Sequence, residues 1–302
     1  MSPKTRCHIL LLITAVAWGS GFLAQKEGAS LEPFTFNGVR FLLAGLLLIP
    51  VFPLLDRLRG FTKNGQSTVG RKSVFTKAEL LAGLICGLVL SAAANLQQVG
   101  MFYQADAGKA GFITALYIIF VPLIGLLAGR KISMVIWGCV FLGMFGFYLL
   151  TMAGQGSFSL EPGDFFILFC AIIFAGHIMI MERYAPGLDG VRLASVQFIV
   201  AGLSSLLMMA LLEHPTWEAI YACRKAIAFG ALVSTDIGYT LQVVGQQHAD
   251  PTIASLLMSL EAVFAVIFGC IFLGEVLTMT EIWGCVVIFV AVVIPQVIDS
   301  RK

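Results

Sequence analysis

Charged side chains are scarce in this chain of 302 residues. Asp, Glu, Lys and Arg make up only 12% of the sequence, whereas 59% of the residues are hydrophobic and the mean hydropathy is +0.93. A chain with so few polar groups could not cover the surface of a water-soluble fold. The composition therefore excludes a soluble enzyme or a soluble binding domain, and it predicts an all-α polytopic membrane protein.

Motifs that carry chemistry in other protein classes are also missing. The seven cysteines show neither the spacing of a disulfide framework nor that of a metal site. No His-Glu-x-x-His, Gly-x-Ser-x-Gly or pore-loop motif occurs, and Gly65–Ser73 differs from a phosphate-binding P-loop by one extra residue before its Lys. We expect no enzyme, no metal, no cofactor and no nucleic-acid partner. An intramembrane enzyme or a channel is the weaker alternative.

Long apolar stretches take the place of these motifs. A helix needs about 20 apolar residues to cross a hydrocarbon core of about 30 Å. Ten stretches of this kind, numbered here as spans 1 to 10, lie at residues 8–25, 33–55, 79–103, 107–129, 132–152, 163–183, 190–212, 226–247, 251–273 and 279–298. The one sizeable polar segment, residues 56–78, is predicted to be a cytoplasmic loop between spans 2 and 3.

The distribution of Lys and Arg predicts the orientation of the chain. Cytoplasmic loops retain an excess of these residues. With the N-terminus inside, fourteen of them fall on the cytoplasmic side and four on the other side. We therefore expect a multi-pass protein of the cytoplasmic membrane with both termini in the cytoplasm.

Internal repetition divides the chain into two halves. Three motifs occur twice, at Phe41–Gly45 and Phe198–Gly202, at Leu96–Gly100 and Leu241–Gly245, and, identical in all five residues, at Ile136–Val140 and Ile282–Val286. They predict two domains, residues 1–155 and 156–302, with five spans each. Because five is odd, the second half enters the membrane from the opposite side. Inverted repeats of this kind predict a transporter with its site near the midplane.

Several segments carry a family resemblance. They are Trp-Gly-Ser-Gly-Phe at 18–22, Glu-Pro-Phe-Thr at 32–35, Arg-Phe-Leu-Leu-Ala at 40–44, Ser-Leu-Glu-Ala-Val-Phe at 259–264 and Leu-Gly-Glu at 273–275. The chain resembles EamA-type transporters of the drug/metabolite transporter superfamily along nearly its whole length. This resemblance implies a secondary transporter, often an exporter of amino acids or other metabolites. It also implies a central cavity lined chiefly by spans 1, 3, 4, 6, 8 and 9.

Two acids stand out inside the predicted spans. Asp236 lies near the middle of span 8 and Glu261 near the middle of span 9. A charge at the bilayer centre costs about 2.5–3.5 kcal/mol on insertion scales, so such a residue is a functional candidate. Either acid could exchange protons or bind a substrate amine. The alternative is a fixed hydrogen-bonding strut between helices.

Polar and aromatic residues in the first-half spans complete the predicted cavity. Ser91, Asn95 and Gln98 share one face of span 3, where they either line the cavity or connect helices. Trp18 lies near the centre of span 1. It either forms an apolar or cation-binding wall of the cavity or packs in the core. Tyr117 corresponds to Glu261 at an offset of 144, so it should face the cavity if Glu261 does.

Three further residues have open roles. His177 in span 6 either relays protons or stays neutral and hydrogen-bonded within the bundle. Tyr239, three residues after Asp236, contacts substrate or orients that acid. Arg40 is expected near the outer membrane interface, where it pairs with a loop acid or extends its side chain towards water.

The sequence thus predicts a secondary active transporter that moves a small metabolite by alternating access. An amino acid or a related organic solute is the favoured substrate, export is the favoured direction, and protons are a candidate coupling ion beside the membrane lipids that surround the chain. An importer, or a facilitative carrier of another solute class, is the alternative. The sequence is silent on the oligomeric state.

Overall fold

The computed structural model describes residues 3–62, 74–103, 107–151, 161–274 and 276–300, and every regular element within them is helical. Ten helices are long and apolar enough to cross a membrane, which confirms the ten predicted spans. Their bounds are Lys4–Gly28, Pro33–Arg57, Lys77–Phe102, Ala110–Leu127, Met134–Thr151, Pro162–Tyr184, Gly190–Leu212, Arg224–Gln246, Pro251–Phe272 and Met279–Ile298. The stretch 65–73 and the predicted boundary between the two domains fall outside the described residues.

Spans 2 and 7, which are equivalent in the two repeats, pack against each other along much of their length. A Cβ atom added to Gly38 would lie 2.7 Å from Leu206, and one added to Gly45 would lie 2.7 Å from Ile199. Residue numbers rise along one helix as they fall along the other, so the two helices are antiparallel. Equivalent helices that run in opposite directions are related by a two-fold axis in the membrane plane, as the inverted repeat predicts.

Spans 5 and 10 show the same antiparallel packing around the repeated pentapeptide. A Cβ atom on Gly146 would meet Ile288 at 2.7 Å, and one on Gly284 would meet the backbone nitrogen of Leu150 at 2.6 Å. Small residues at these crossings let two backbones approach closely. Trp283 of the pentapeptide is 61% exposed on the outside of the bundle. The motif therefore belongs to the scaffold.

Spans 4 and 9 each break at equivalent positions. Span 4 consists of the helices Ala107–Ala115 and Tyr117–Leu127, and span 9 begins with the helices Pro251–Met258 and Glu261–Phe268. At both breaks a leucine amide donates to the carbonyl three residues earlier, which is the tight hydrogen bond of a 3₁₀ turn. The first residue after each break is the one that faces the centre of the bundle.

Span 8 departs from α-helical geometry in its central part. The helices Arg224–Phe229 and Thr240–Gln246 flank a π-helical segment, Gly230–Tyr239. Such wide turns are rare and are often found at functional sites. Span 1 packs against spans 8 and 9, while span 3 packs against spans 6 and 7. Span 4 packs against spans 6 and 9. Together these contacts bring the irregular parts of spans 4, 8 and 9 around one central point.

Candidate functional site

A small cavity lies where the two repeats meet. Its volume is about 30 Å³, enough for one or two water molecules, since one water needs about 10–15 Å³ of such volume. In this conformation the cavity has room for water but not for an organic solute. The lining residues come from spans 1, 3, 4, 6, 8 and 9, and they are Trp18, Phe22, Gln25, Gln97, Thr114, Tyr117, Phe174, Ile178, Ser234, Tyr239, Gln242 and Glu261.

Tyr117 and Glu261 form the centre of this cavity. The Tyr117 hydroxyl donates to Oε1 of Glu261 at 3.3 Å, and both side chains are buried. Each is the first residue after the break in its span. Because the two positions are equivalent in the repeats, their contact places the two-fold axis between them. Glu261 is the only acidic or basic residue among the described residues that line the cavity.

Three glutamines that were not predicted as site residues also line the cavity. Gln25 Nε2 donates to Gln97 Oε1 at 3.3 Å, and Gln97 Nε2 donates to the Thr114 hydroxyl at 3.2 Å. The buried Oε1 of Gln242 accepts no hydrogen bond. Gln97 and Gln242 are the glutamines of the repeated Leu-Gln-x-Val-Gly motif. The occurrence of this polar residue in both repeats was the sequence feature that could have identified them as cavity residues.

Aromatic rings form one wall of the cavity. Trp18 Nε1 donates to the carbonyl of Ser234 at 3.2 Å, and the ring centroids of Trp18 and Tyr239 are 4.7 Å apart. Gly238 makes room for the indole, because a Cβ atom there would lie 2.6 Å from it. Aromatic faces attract cations, most strongly in the case of Trp. The wall and the Glu261 carboxylate together suit a ligand with a positively charged group.

Asp236 lies at the expected depth but outside the cavity lining. Its side chain is half-buried on the face of span 8 that also carries Leu232 and Ile237, which are 49% and 46% exposed. Its buried Oδ1 has no hydrogen-bond partner. The structure therefore does not bring Asp236 together with Glu261, in contrast to the expectation that both acids share one cavity.

The polar stripe of span 3 connects helices. The Ser91 hydroxyl lies 3.2 Å from that of Ser205, and Asn95 Nδ2 donates to the same Ser205 hydroxyl at 2.9 Å. Asn37 Nδ2 donates to Asn95 Oδ1 at 2.9 Å, which adds span 2 to the network. Gln98 Nε2 reaches the carbonyl of Gln25 at 3.4 Å, behind the cavity wall. Of the two open interpretations, the contacts of Ser91 and Asn95 favour the connection of helices.

His177 has a neutral partner within the bundle. Its Nε2 lies 3.1 Å from Oε1 of Gln197, and the buried Nδ1 makes no hydrogen bond. The pair joins span 6 to span 7, and His177 does not line the cavity. This geometry fits the hydrogen-bonded alternative. Among the described residues no three His, Cys, Asp or Glu side chains come together as a metal site would require.

Arg40 does not extend its side chain towards water. It is only 1% exposed, and its guanidinium carbon lies 4.6 Å from the ring centroid of Phe41 and 5.4 Å from that of Phe36. Nε donates to Asn37 Oδ1 at 2.9 Å, whereas Nη1 and Nη2 have no hydrogen-bond partner. The predicted pairing with a loop acid is therefore wrong. The charge is stabilised by two aromatic faces and one amide.

The sequence matches the EamA-like transporter family over residues 5–152 and 161–295, one match for each repeat. The chain belongs to this family. An uncharacterized transporter of Archaeoglobus fulgidus is 30% identical over 291 residues, which cover 94% of this chain and 83% of the relative. The uncharacterized inner membrane transporter YedA of Escherichia coli is 25% identical over 283 residues, covering 92% of this chain and 87% of its own length.

The fold of this EamA-family chain also occurs in a crystal structure. The two superpose with a TM-score of 0.75, covering 98% of each chain at 15% sequence identity. At this identity the likeness shows the fold alone. The family match confirms the predicted resemblance and shows a multi-pass membrane transporter of the drug/metabolite type.

Proposed function

We propose that this EamA-family protein is a secondary carrier for a small organic solute with a protonated amine, such as an amino acid. The observation that carries the proposal is the single carboxylate of Glu261, buried beside a small central cavity on the two-fold axis. A charged group inside a bilayer is costly unless it binds an ion or a substrate. A substrate ammonium group would compensate it.

The other lining residues fit a ligand of this kind. Trp18 and Tyr239 offer aromatic faces to a cation, while the amides of Gln97 and Gln242 can donate to or accept from polar groups of the solute. The carbonyl oxygen of Gln242 is already free for a donor. An amine bound between Glu261 and the aromatic wall would therefore find partners on several sides.

Alternating access follows from the inverted repeat. Two similar halves related by an axis in the membrane plane can exchange conformations, which opens the central site to one side and then to the other. The breaks before Tyr117 and Glu261 are the places where spans 4 and 9 can bend. The closed cavity is consistent with an intermediate between the two open states.

Proton coupling is assigned to Glu261 rather than to Asp236. A proton and a substrate ammonium group can compete for one carboxylate in the cavity, and of the two acids only Glu261 lines it. The direction of transport is proposed as export because the resemblance to EamA-type carriers favours it. We also propose that both termini lie in the cytoplasm, on the side where Arg130, Arg183 and Arg192 gather.

Counterflow in proteoliposomes tests the proposal. Vesicles loaded with unlabelled solute would be given radiolabelled amino acids, the matching decarboxylated amines and the matching deaminated acids, with and without a pH gradient. We expect exchange of amine-bearing solutes and none of the deaminated acids. Absence of exchange with every solute would contradict a carrier of this class, and equal exchange of the deaminated acids would contradict recognition of the amine.

A further inference from the structure

A second and much larger concave site lies on the side of the bundle. This lateral groove, with a volume of about 740 Å³, runs between spans 3, 6 and 7 and ends at the start of span 2. Its walls are apolar and include Leu88, Phe102, Leu207 and Leu212, whose side chains are 40% to 64% exposed. A groove that opens sideways from membrane-spanning helices faces the hydrocarbon of the bilayer.

The dimensions of the groove match a lipid chain. From Leu88 to Phe102 span 3 rises by about 21 Å, at about 1.5 Å per residue. One leaflet contributes about 15 Å, half of a hydrocarbon core of about 30 Å. The groove therefore extends from the end of span 3, where headgroups lie, to beyond the midplane. Its volume falls in the range of about 300–1,000 Å³ that is usual for ligand pockets.

The polar side chains at the floor of the groove do not need hydrogen bonds from a ligand. Ser91, Asn95 and Ser204 line it, and they are joined by hydrogen bonds, with 2.8 Å between the two hydroxyls and 3.1 Å from Asn95 Nδ2 to Ser91. No atom of these three side chains is buried without a partner. An acyl chain can lie across them without leaving a polar group unsatisfied.

One polar atom of the lining differs. Oε2 of Glu32 is buried and has no hydrogen-bond partner. Glu32 is the N-cap residue of span 2, but its side chain does not cap the helix. Glu213 does so instead, because its carboxylate accepts from the amides of Phe34 and Thr35 at 2.8 and 2.7 Å. The carboxylate of Glu32 is therefore left for a donor from outside the chain.

We propose that the lateral groove binds a phospholipid whose headgroup carries a primary ammonium group. Its acyl chain lies along spans 3 and 7, and its ammonium group pairs with the half-buried carboxylate of Glu32. No Lys or Arg is present among the described residues that line the groove, so nothing there selects an anionic headgroup. The ammonium group supplies both the charge and the N–H donors that the carboxylate lacks. This site is independent of the proposed transport of solutes.

Lipid retention tests this site without any transport assay. The protein would be reconstituted into a bilayer of phosphatidylethanolamine and phosphatidylglycerol in equal amounts, extracted in mild detergent, and its retained lipids quantified by mass spectrometry. We expect about a ten-fold preference for phosphatidylethanolamine, as for one hydrogen bond to a charged group. Replacement of phosphatidylethanolamine by phosphatidylcholine should remove the preference, because its trimethylated ammonium has no N–H donor.

Three variants distinguish lipid bound in the groove from lipid that surrounds the protein nonspecifically. Glu32→Gln should abolish the preference, whereas Glu27→Gln, at an exposed acid outside the groove lining, should keep it. Ala92→Phe, at an exposed position in the groove, should reduce the total lipid retained. Equal retention of all lipids by the unmodified protein would overturn the proposal, as would an undiminished preference in folded Glu32→Gln protein. The phosphatidylcholine comparison decides the question even if that variant fails to fold.

Discussion

The central cavity and the lateral groove differ in size and in chemistry. The groove is the larger site, but the cavity is the one that contains a buried carboxylate. The groove is about 740 Å³ and the cavity about 30 Å³. Yet the polar floor of the groove is satisfied within the protein, while the cavity holds an enclosed carboxylate and the free amide oxygen of Gln242. In a membrane protein, a large groove on the lipid-facing surface indicates where a lipid can lie. Unsatisfied polar groups on the symmetry axis report where a polar solute binds.

The two intramembrane acids repeat this contrast. Glu261 is enclosed, has Tyr117 as its partner and lies on the axis. Asp236 is half-buried, has no hydrogen bond to Oδ1 and lies beside residues that face the bilayer. Similar depth in the membrane thus conceals different surroundings. If surroundings rather than depth determine function, removing the two charges must have different consequences.

The largest effect is expected from Glu261→Gln. This substitution keeps the shape of the side chain but removes its charge and its exchangeable proton. Accumulation driven by a pH gradient should be abolished, and binding of an amine substrate should weaken by about 10- to 100-fold, since a hydrogen bond to a charged group contributes about 1.5–3 kcal/mol. Uptake and counterflow in proteoliposomes would measure the two effects separately.

Asp236→Asn is the matched control for that experiment. It also neutralises one acid at a similar depth, but outside the cavity. We expect pH-driven uptake to continue at nearly the rate of the unmodified protein. Loss of coupling in Asp236→Asn, with coupling retained in Glu261→Gln, would reverse the roles assigned to the two acids.

The next effect concerns the pair of equivalent glutamines. Gln97→Met and Gln242→Met keep the length of each side chain and remove its amide. We expect each to lower the affinity for substrate about five-fold, as for the loss of one neutral hydrogen bond of about 1 kcal/mol. Gln97→Met should in addition destabilise the protein, because Gln25 and Thr114 lose a partner. Counterflow titrations and thermal unfolding would show whether the two positions differ in this way.

The arrangement of the helices was predictable from the sequence because it depends on coarse properties. Hydropathy sets the length of a span, and the repeated motifs, together with an odd number of spans, require the inversion. The antiparallel contacts of Gly45 with Ile199 and of Gly146 with Ile288 bear this out. None of these predictions needed the direction in which a side chain points.

The site depends on that direction, and here the sequence was a partial guide. Of the candidate site residues, Trp18, Tyr117, Tyr239 and Glu261 line the cavity, whereas Asp236, His177 and the polar stripe of span 3 do not. Asp236 lies in a π-helical segment, where hydrogen bonds join residues five apart and the faces of the helix shift relative to an α-helix. The depth of Asp236 in the membrane could be estimated by counting residues from the ends of span 8. The face of the helix on which it lies could not be predicted in this way.

A different kind of error affected the residues on the axis. Gln97 and Gln242 were not predicted as cavity residues, yet they occur in both repeats and line the cavity. A two-fold axis brings equivalent residues together, so a polar residue that occurs at the same place in both repeats is a candidate for the centre. The burial of Arg40 had no comparable signal, because span 8 covers its side chain only after the helices pack. A Cβ atom added to Gly230 of span 8 would lie 3.5 Å from Cδ of Arg40.

A smaller effect is expected from Tyr117→Phe. The hydroxyl makes one hydrogen bond to Glu261, and its 3.3 Å length indicates a weak one. We expect the pH at which uptake is half-maximal to shift by about 0.5 unit, which corresponds to a three-fold change in proton affinity, or the affinity for the amine to change about three-fold. Coupling should be retained. A pH profile of uptake measures both. Complete loss of coupling in this variant would mean that Tyr117 itself takes part in proton transfer.

The smallest effect on transport is expected from Ser91→Ala. Ser91 accepts hydrogen bonds from Asn95 and Ser204, and both of these also contact groups other than Ser91. Its removal should therefore cost about 1 kcal/mol of stability and leave uptake unchanged. Thermal unfolding in detergent and proteoliposome uptake measure the two quantities. A loss of uptake with unchanged stability would instead place Ser91 on the path of the solute, and the distinction between cavity and groove would then fail.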